Sequence, residues 1–446
     1  MKFNNVVMLS VLFAATGCSG LNTDVKKFFS TGANPASTLP ADQIYPKGQL
    51  FPFSFYSTGG GSEKKRGELL PEAELLADQK EIIDAGVTMI GPQYELNNRI
   101  AADAAKYKVK GVYTIIPVID GKEVTKEYLK EINARKEPLD IEKLRQSVSD
   151  IVSKAGGSKE IAWWDITPEE LRPWVPQELL LLKTATEAIK QADPEKRPVF
   201  MYFPGHYNGK AMGKLAVYLD IIGKGMYTNY SSMKNSRSWC RWTIEQEIEA
   251  IKLSGNKNSI PVAVTEMFQQ PPAAEVKLID SWVRYDVYSA LIAGAKGVLI
   301  FSASKRPDFS ARKEYLNAYF KVCRDLNGPL KLGQVFLFGA PMNDITLTIT
   351  DGPQTVPFKY KTAGADITYP AVSMANIAYN SSRYIFLVNS SDKQIEAVVG
   401  GLVYGSGVTI EDLFAGSEKF TAPEGDFSIK LEPLEAKAFR IYNAQP

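Results

Sequence analysis

An α/β fold is predicted: a (β/α)8 TIM barrel followed by a small all-β sandwich. Three features of the 446-residue chain point to it. Eight apolar β-type runs alternate with helical patterns over about 260 residues, the size and rhythm of such a barrel. Several runs are almost continuously apolar, such as Tyr113-Thr-Ile-Ile-Pro-Val-Ile119, as expected of strands covered on both faces. After Gly328 the texture changes to short, glycine-punctuated β segments with scant helical pattern.

In chain order, the first element is Met1-Lys2, an apolar run from Val6 to Ala15, and then Ala15-Thr-Gly-Cys18. The run is too short to span a bilayer as a mature helix. Residues 1–18 resemble a bacterial lipoprotein signal peptide with its lipobox, which implies cleavage before Cys18 and an acyl anchor on that cysteine. An ordinary secretory peptide with a chance cysteine is the alternative. Residues 19–45 are rich in Ser, Thr, Asn, Ala and Pro, as expected of a flexible tether. Ser19 carries no inner-membrane retention signal of the aspartate type, so an outer-membrane lipoprotein is expected, facing the periplasm or the cell exterior.

The barrel is expected over 46–330. Its strands read as Leu50–Tyr56, Val87–Tyr94, Gly111–Ile119, Glu160–Ile166, Val199–Phe203, Leu219–Tyr227, Ile260–Glu266 and Gly297–Phe301. Glu72–Ile83, Ile141–Val152, Leu179–Ala192, Ile244–Leu253 and Val276–Ala293 carry helical spacing between them. An open doubly wound sheet is the runner-up. Against it, Gly59-Gly-Gly61 lacks the G-x-G-x-x-G spacing and a helix directly behind it. The sandwich is expected over 331–446, with strands at Gln334–Phe338, Ile345–Thr350, Tyr384–Ser390, Ile395–Val399, Phe427–Leu431 and Ala436–Tyr442.

With 52 basic and 50 acidic residues the net charge is +2, so no field steers nucleic acid, and no nucleic-acid partner is expected. Besides Cys18 there are only Cys240 and Cys323, expected as buried free thiols, with a single disulfide between them as the alternative. No Cys-x-x-Cys or His-x-x-x-His spacing suggests a metal, and no cofactor is implied.

In a barrel the C-terminal strand ends form one mouth. Read off the sequence, these ends carry Tyr56, then Gln93, Tyr94 and Glu95, then Asp120. Asp165 follows with Glu169 and Glu170, then His206 and Tyr207, Tyr227 with Asn229 and Tyr230, Glu266, and Ser302 to Arg306. An acidic, aromatic mouth suits sugars, whose C–H faces pack on rings while their hydroxyls need carboxylates and amides. Glycoside cleavage needs two carboxyl groups flanking the bond, one protonated and one ionised. Tyr56, Asp165, Glu170, His206, Tyr207 and Tyr227 are accordingly expected to bind carbohydrate.

At Ala162-Trp-Trp-Asp-Ile-Thr-Pro-Glu-Glu-Leu-Arg-Pro-Trp174 and Ile260-Pro-Val-Ala-Val-Thr-Glu266 the chain resembles the clan A glycoside hydrolases. That clan places an acid/base glutamate after strand four and a nucleophile glutamate after strand seven. The resemblance implies a catalytic pair of Glu169 and Glu266, with Tyr227 or Tyr230 against the nucleophile. Glu170 and Asp165 remain alternatives for the acid. Thr167-Pro-Glu-Glu170 also reads as a helix start with Glu170 in a capping box. Two departures stand out: Pro168 precedes Glu169 where the clan has Asn, and Phe301-Ser302 ends strand eight where it often has Trp. Asp412-Leu-Phe-Ala-Gly416 and the last 60 or so residues resemble the β-domain that closes many barrel glycosidases. The function implied is an extracytoplasmic glycoside hydrolase acting on oligo- or polysaccharides. A catalytically silent glycan-binding barrel lipoprotein is the alternative, and a lyase or esterase a minor third.

Overall fold

The computed structural model describes residues 41–58, 62–65, 68–93, 97–231, 237–360, 367–402, 408–422 and 425–442. The expected signal with Cys18, most of the tether, Gly59 to Gly61, Tyr94 and Glu95 lie outside the described residues.

Eight strands form one parallel sheet: β1 (Phe53–Phe55), β2 (Met89–Ile90), β3 (Lys110–Ile115), β4 (Ile161–Ile166), β5 (Val199–Phe203), β6 (Ile221–Met226), β7 (Ile260–Glu266) and β8 (Val298–Phe301). Their order is β1-β8-β7-β6-β5-β4-β3-β2. The first and last strands are joined by Thr88 N donating to Phe53 O at 3.3 Å and Ser57 N to Pro92 O at 2.9 Å. A side chain completes the seam, since Phe53 N donates to Thr88 Oγ1 at 3.0 Å. The predicted barrel is therefore present, with all eight strands where the apolar runs place them.

Helices follow each strand: α1 (Glu72–Asp84), α2 (Ile100–Tyr107), α3 (Lys126–Arg135), α4 (Ile141–Ala155), α5 (Pro176–Ala192), α6 (Gly209–Ala216), α7 (Trp239–Ser254), α8 (Ile279–Ala293) and α9 (Arg312–Asn327). Local chemistry starts several of them. Thr125 Oγ1 accepts from Tyr128 N at 3.1 Å, and Asp140 Oδ1 accepts from Lys143 N at 3.1 Å. In α4, Leu144, Val148 and Val152 recur every fourth residue and form its buried stripe.

Side chains alternate between the barrel interior and the helix layer. Trp163 faces inward, stacked on Tyr45 with ring centroids 6.2 Å apart, while Trp164 faces the helices and donates from Nε1 to Asp193 Oδ2 at 2.8 Å. Tyr45 is 1 % exposed, so the end of the expected tether is packed into the barrel. In β6 the interior positions are Gly223 and Gly225. A Cβ at Gly223 would come within 2.8 Å of the Phe200 ring, and one at Gly225 within 2.5 Å of the Tyr202 hydroxyl. These glycines leave room for the large rings of β5.

Leu332–Phe338, expected in part as a strand, is a helix (α10) instead. A seven-residue apolar run fits either state by periodicity alone. Most of its residues are buried, and Lys296 Nζ caps the Phe336 carbonyl at 2.7 Å.

The remainder is antiparallel: β9 (Ala340–Pro341), β10 (Thr346–Asp351), β11 (Thr355–Phe358), β12 (Ile367–Pro370), β13 (Val372–Tyr379), β14 (Ser382–Asn389), β15 (Ile395–Gly400), β16 (Val408–Asp412), β17 (Glu418–Ala422), β18 (Phe427–Leu431) and β19 (Ala436–Tyr442). They form a sheet of order β9-β13-β14-β19-β16-β17, a second of order β10-β15-β18 and the pair β11-β12. Strict alternation in β18 buries Phe427, Ile429 and Leu431 and exposes Ser428 and Lys430. This domain docks on α7 and α8. Tyr369 OH donates to Glu245 Oε2 at 2.7 Å, Arg241 Nη1 to Ser373 Oγ at 3.0 Å, and Tyr285 OH bonds Ser390 Oγ at 2.8 Å. Trp239 and Trp242 pack against Phe358 and Tyr360 in the same interface. Cys240 and Cys323 are buried free thiols.

Candidate active site

Glu266 is the last residue of β7, on its inner face, level with Phe301 of β8. It is 6 % exposed. The turn after β6 is folded so that its amides point at this carboxylate. Asn229 N donates to both oxygens at 3.2 Å, and Tyr230 N donates to Oε2 at 3.1 Å. That turn is braced from behind. Asn229 Oδ1 accepts from Arg237 Nη1 at 3.3 Å, and Asn229 Nδ2 donates to Tyr315 OH at 3.1 Å. Arg237 in turn donates from Nε to Asp286 Oδ1 at 2.8 Å in a buried ion pair. Tyr319 OH fixes the end of the strand by donating to the Glu266 carbonyl at 2.9 Å.

These contacts pull in opposite directions on the acidity of Glu266. Burial above all raises its pKa, Asp286 adds to the rise, and the net value is about 7. The two backbone amides and the Arg237 guanidinium oppose it. The outcome is a carboxyl that exists in either protonation state near neutrality.

An aromatic floor adjoins Glu266. Phe301 meets Tyr56 at 5.5 Å, Tyr227 at 5.7 Å and Phe268 at 5.6 Å between centroids. Tyr227 stacks on Tyr202 at 6.1 Å. Both phenols are held protonated chiefly by burial, hydrogen-bond each other, and feel the charges of Glu169 and Glu170. Tyr227 thus packs on Phe301, the residue level with Glu266, and senses the carboxyls of the β4 loop on the other side of the barrel.

On that opposite side, Asp165 on β4 is fully buried and accepts from Thr114 Oγ1 at 3.0 Å. Burial holds its pKa well above the usual carboxylate range, and the charge of Glu169 raises it further. Glu169 is partly exposed. Glu170, with φ of 54°, turns away to an ion pair with Lys126.

The helix start expected at Thr167 is not formed. Thr167 Oγ1 donates to the Ile115 carbonyl at 2.8 Å, the Thr167–Pro168 peptide is cis, and α5 begins nine residues later at Pro176. The capping pattern loses to a tertiary bond with β3. His206 is exposed, its ring edge-on to Tyr207 at 4.9 Å. Tyr207 is buried, donates to the Leu171 carbonyl at 3.3 Å, and its hydroxyl is pushed up to about 12, mainly by burial. It packs on Trp174, which is 63 % exposed. Asp120 does not reach the mouth. It sits in a two-strand hairpin after β3, paired with Lys143 at 2.8 Å. Gln93 is fully buried, and its amide has no hydrogen-bond partner among the described residues. The barrel therefore gathers Tyr56 and Tyr227 around Phe301, level with Glu266, while Asp165 lies inside β4 with Glu169 in the loop beyond it.

Tyr202 and Thr114 escaped the sequence reading, since both lie inside strands and not at their ends. The signal that could have found Tyr202 is the Gly223-Lys-Gly225 pattern of the next strand, which leaves space for a large inward ring.

No family model matches the sequence, and no curated protein matches it. Solved structures do. An Anoxybacillus alpha-amylase superposes with a TM-score of 0.54 at 9 % identity, covering 89 % of this chain and 98 % of that one. Eubacterium rectale Amy13B gives 0.53 at 9 %, covering 93 % and 100 %. AmyP, in a variant complexed with maltotriose, gives 0.54 at 9 %, covering 93 % and 99 %. At such identity the likeness is one of fold, and it spans both the barrel and the antiparallel domain.

Proposed function

We propose that this protein is a glycoside hydrolase of the clan A type, working outside the cytoplasm on oligo- or polysaccharides. The observation that carries the reading is Glu266: a buried carboxyl at the end of β7, gripped by two amides and level with Phe301 of an aromatic floor. Glu266 serves as nucleophile or as base for water, and Glu169 as the acid that protonates the leaving oxygen. The rings of Phe301, Phe268 and Tyr227 take the apolar faces of the sugar. Carbohydrate complexes among the structures of similar fold support this choice of substrate class.

The test is Glu266→Gln, assayed on a glycan panel by reducing-end release and by direct sugar binding. Turnover is expected to fall at least a hundredfold with binding retained. Undiminished turnover in the variant ends the assignment. Binding without product release by the wild-type chain would favour the silent glycan-binding barrel.

The membrane anchor at Cys18 and the outer-membrane location are part of the same proposal, supported by the Ala15-Thr-Gly-Cys18 segment. Cells fed an alkyne fatty acid should label the protein, and Cys18→Ser should abolish the label. Equal labelling of both would reject the anchor.

A further inference from the structure

One tryptophan is placed unlike the rest. Trp163, Trp164, Trp239, Trp242 and Trp282 are each no more than 6 % exposed, whereas Trp174 is 63 % exposed. Its backbone is nonetheless fixed. Trp174 is the third residue of a turn, Arg172-Pro-Trp-Val175, closed by Val175 N donating to the Arg172 carbonyl at 3.0 Å. Proline at the second position presets that turn. The turn is anchored where it starts. Tyr207 OH donates to the Leu171 carbonyl at 3.3 Å, and Arg172 Nε donates to Oε1 of the buried Glu178 at 2.7 Å. The indole rests on the Tyr207 ring at 6.0 Å between centroids, and His206 meets the same ring edge-on at 4.9 Å.

A ring held rigid in water adds little to the fold, but it offers a contact surface whose ordering cost is already met. The neighbours set the class of ligand. His206 and Arg172 are polar and open to water, and Glu170 lies four residues back along the same loop. Among the exposed large apolar side chains, only Leu180 shares the stretch from β4 to the end of α5. A protein partner would need a broader apolar patch than that. One ring bordered by hydrogen-bonding groups matches one pyranose, with its C–H face on the indole and its hydroxyls on the polar rim.

We propose that Trp174 is a stacking platform for a sugar unit remote from the bond that is cleaved. It binds and takes no part in the chemistry. The proposal rests on the reading of the barrel mouth as a site of glycoside cleavage, and it names the substrate as a glycan chain that extends beyond that mouth. A second open ring lies nearer the reacting centre. Tyr230 is 64 % exposed, packs on Phe268 at 5.5 Å, and donates its backbone amide to Glu266 at 3.1 Å. In the sheet, β6 and β5 separate β7 from β4. A chain seated at Glu266 and running towards β4 therefore passes the Tyr230 loop first and the Trp174 loop last.

Acrylamide quenching of the wild-type fluorescence reads Trp174 selectively, because the other indoles are buried. The probes are maltohexaose, cellohexaose and xylohexaose, each set against its own trisaccharide. At least one hexasaccharide should shield the quenchable fraction, and its trisaccharide should shield it less. Calorimetry on that pair should show the preference for the longer glycan falling about tenfold in Trp174→Ala and largely kept in Trp174→Tyr. Absence of shielding by every glycan overturns the platform, and so does an unchanged length preference in folded Trp174→Ala. Shielding that grows with protein concentration and ignores glycan also overturns it, since the ring would then serve contact between proteins. Shielding without release of product keeps Trp174 as a glycan platform and removes the hydrolase reading. Cleavage of a hexasaccharide without shielding does the reverse.

Discussion

Glu266 couples the chemistry of the mouth to the stability of the barrel, and Glu266→Gln separates the two. In the unfolded chain this carboxyl titrates at its ordinary 4.5, and in the fold at about 7. The folded state therefore keeps a proton that the unfolded chain has lost. Stability from this group is complete below pH 4.5 and drains away as pH rises to about 7. The full difference is worth about 3 kcal/mol at pH 8. Glutamine mimics the protonated carboxyl at every pH and still accepts from the Asn229 and Tyr230 amides. The variant should thus match the wild type near pH 4.5 and exceed it by about 3 kcal/mol at pH 8. For roughly 400 ordered residues that is a rise in Tm of about 3–4 °C. Any mismatch of the new amide hydrogens adds an offset that is constant with pH, so the slope carries the information. Paired thermal scans of both proteins from pH 4.5 to pH 8 provide the assay. Parallel curves would refute the argument, because Glu266 would then not be the buried group that titrates.

Gly225→Ala pushes a methyl to within 2.5 Å of the Tyr202 hydroxyl, so it should destabilise by about 1–3 kcal/mol in denaturant titrations and depress turnover through the displaced phenol. Glu170→Ala breaks a half-exposed ion pair with Lys126 and should cost no more than about 1 kcal/mol, with turnover kept within a fewfold; a collapse of activity would return Glu170 to the chemistry. Tyr369→Phe leaves the buried Glu245 Oε2 without its phenol donor where the antiparallel domain meets α7. It should cost about 1–3 kcal/mol and make the two domains unfold separately in calorimetry.

The barrel was legible because each of its strands is an apolar run bounded by turn residues, and such runs have few alternatives once eight of them alternate with helices. Glu266 was legible for the same reason: a carboxylate directly after Val262-Ala-Val-Thr265 has nowhere to go but the rim. What surrounds it was not. The amides of Asn229 and Tyr230 that hold Glu266 are backbone groups, and no residue identity announces which amide will point inward. Arg237 and Asp286 pair across 49 positions, and a charge pair at that separation leaves no local pattern. At Thr167-Pro-Glu-Glu170 the local signal was strong and misled, because the hydroxyl found a better partner on β3 than in its own helix. Strand-end reasoning likewise overlooked Thr114 and Tyr202, which sit inside their strands and reach the mouth because a tilted barrel staggers its strand ends.

The two sides of the mouth differ in what burial has been set against, and that difference supports the roles proposed for them. Glu266 is desolvated yet offered two amides and, one residue further out, the Arg237 guanidinium. These donors favour its anion, so it is the carboxyl readier to ionise and, in the proposed reaction, to meet positive charge developing on a sugar ring. Asp165 is desolvated and offered only a hydroxyl, with a second carboxyl as its neighbour. Burial and the neighbouring carboxyl favour retention of a proton, opposed by the Thr114 hydroxyl alone among the described residues. Environments that push two carboxyl regions apart in this way separate base from acid without any change of residue type. Exchanging the supports should therefore weaken the asymmetry. Removing Arg237 with Arg237→Met takes away a cation that favours the Glu266 anion and also leaves Asp286 without its buried partner, and both changes push the same way. The acidic limb of kcat/KM should climb towards the basic limb and narrow the active pH range. An acidic limb unmoved in a folded Arg237→Met enzyme would mean that the guanidinium braces the turn and nothing more.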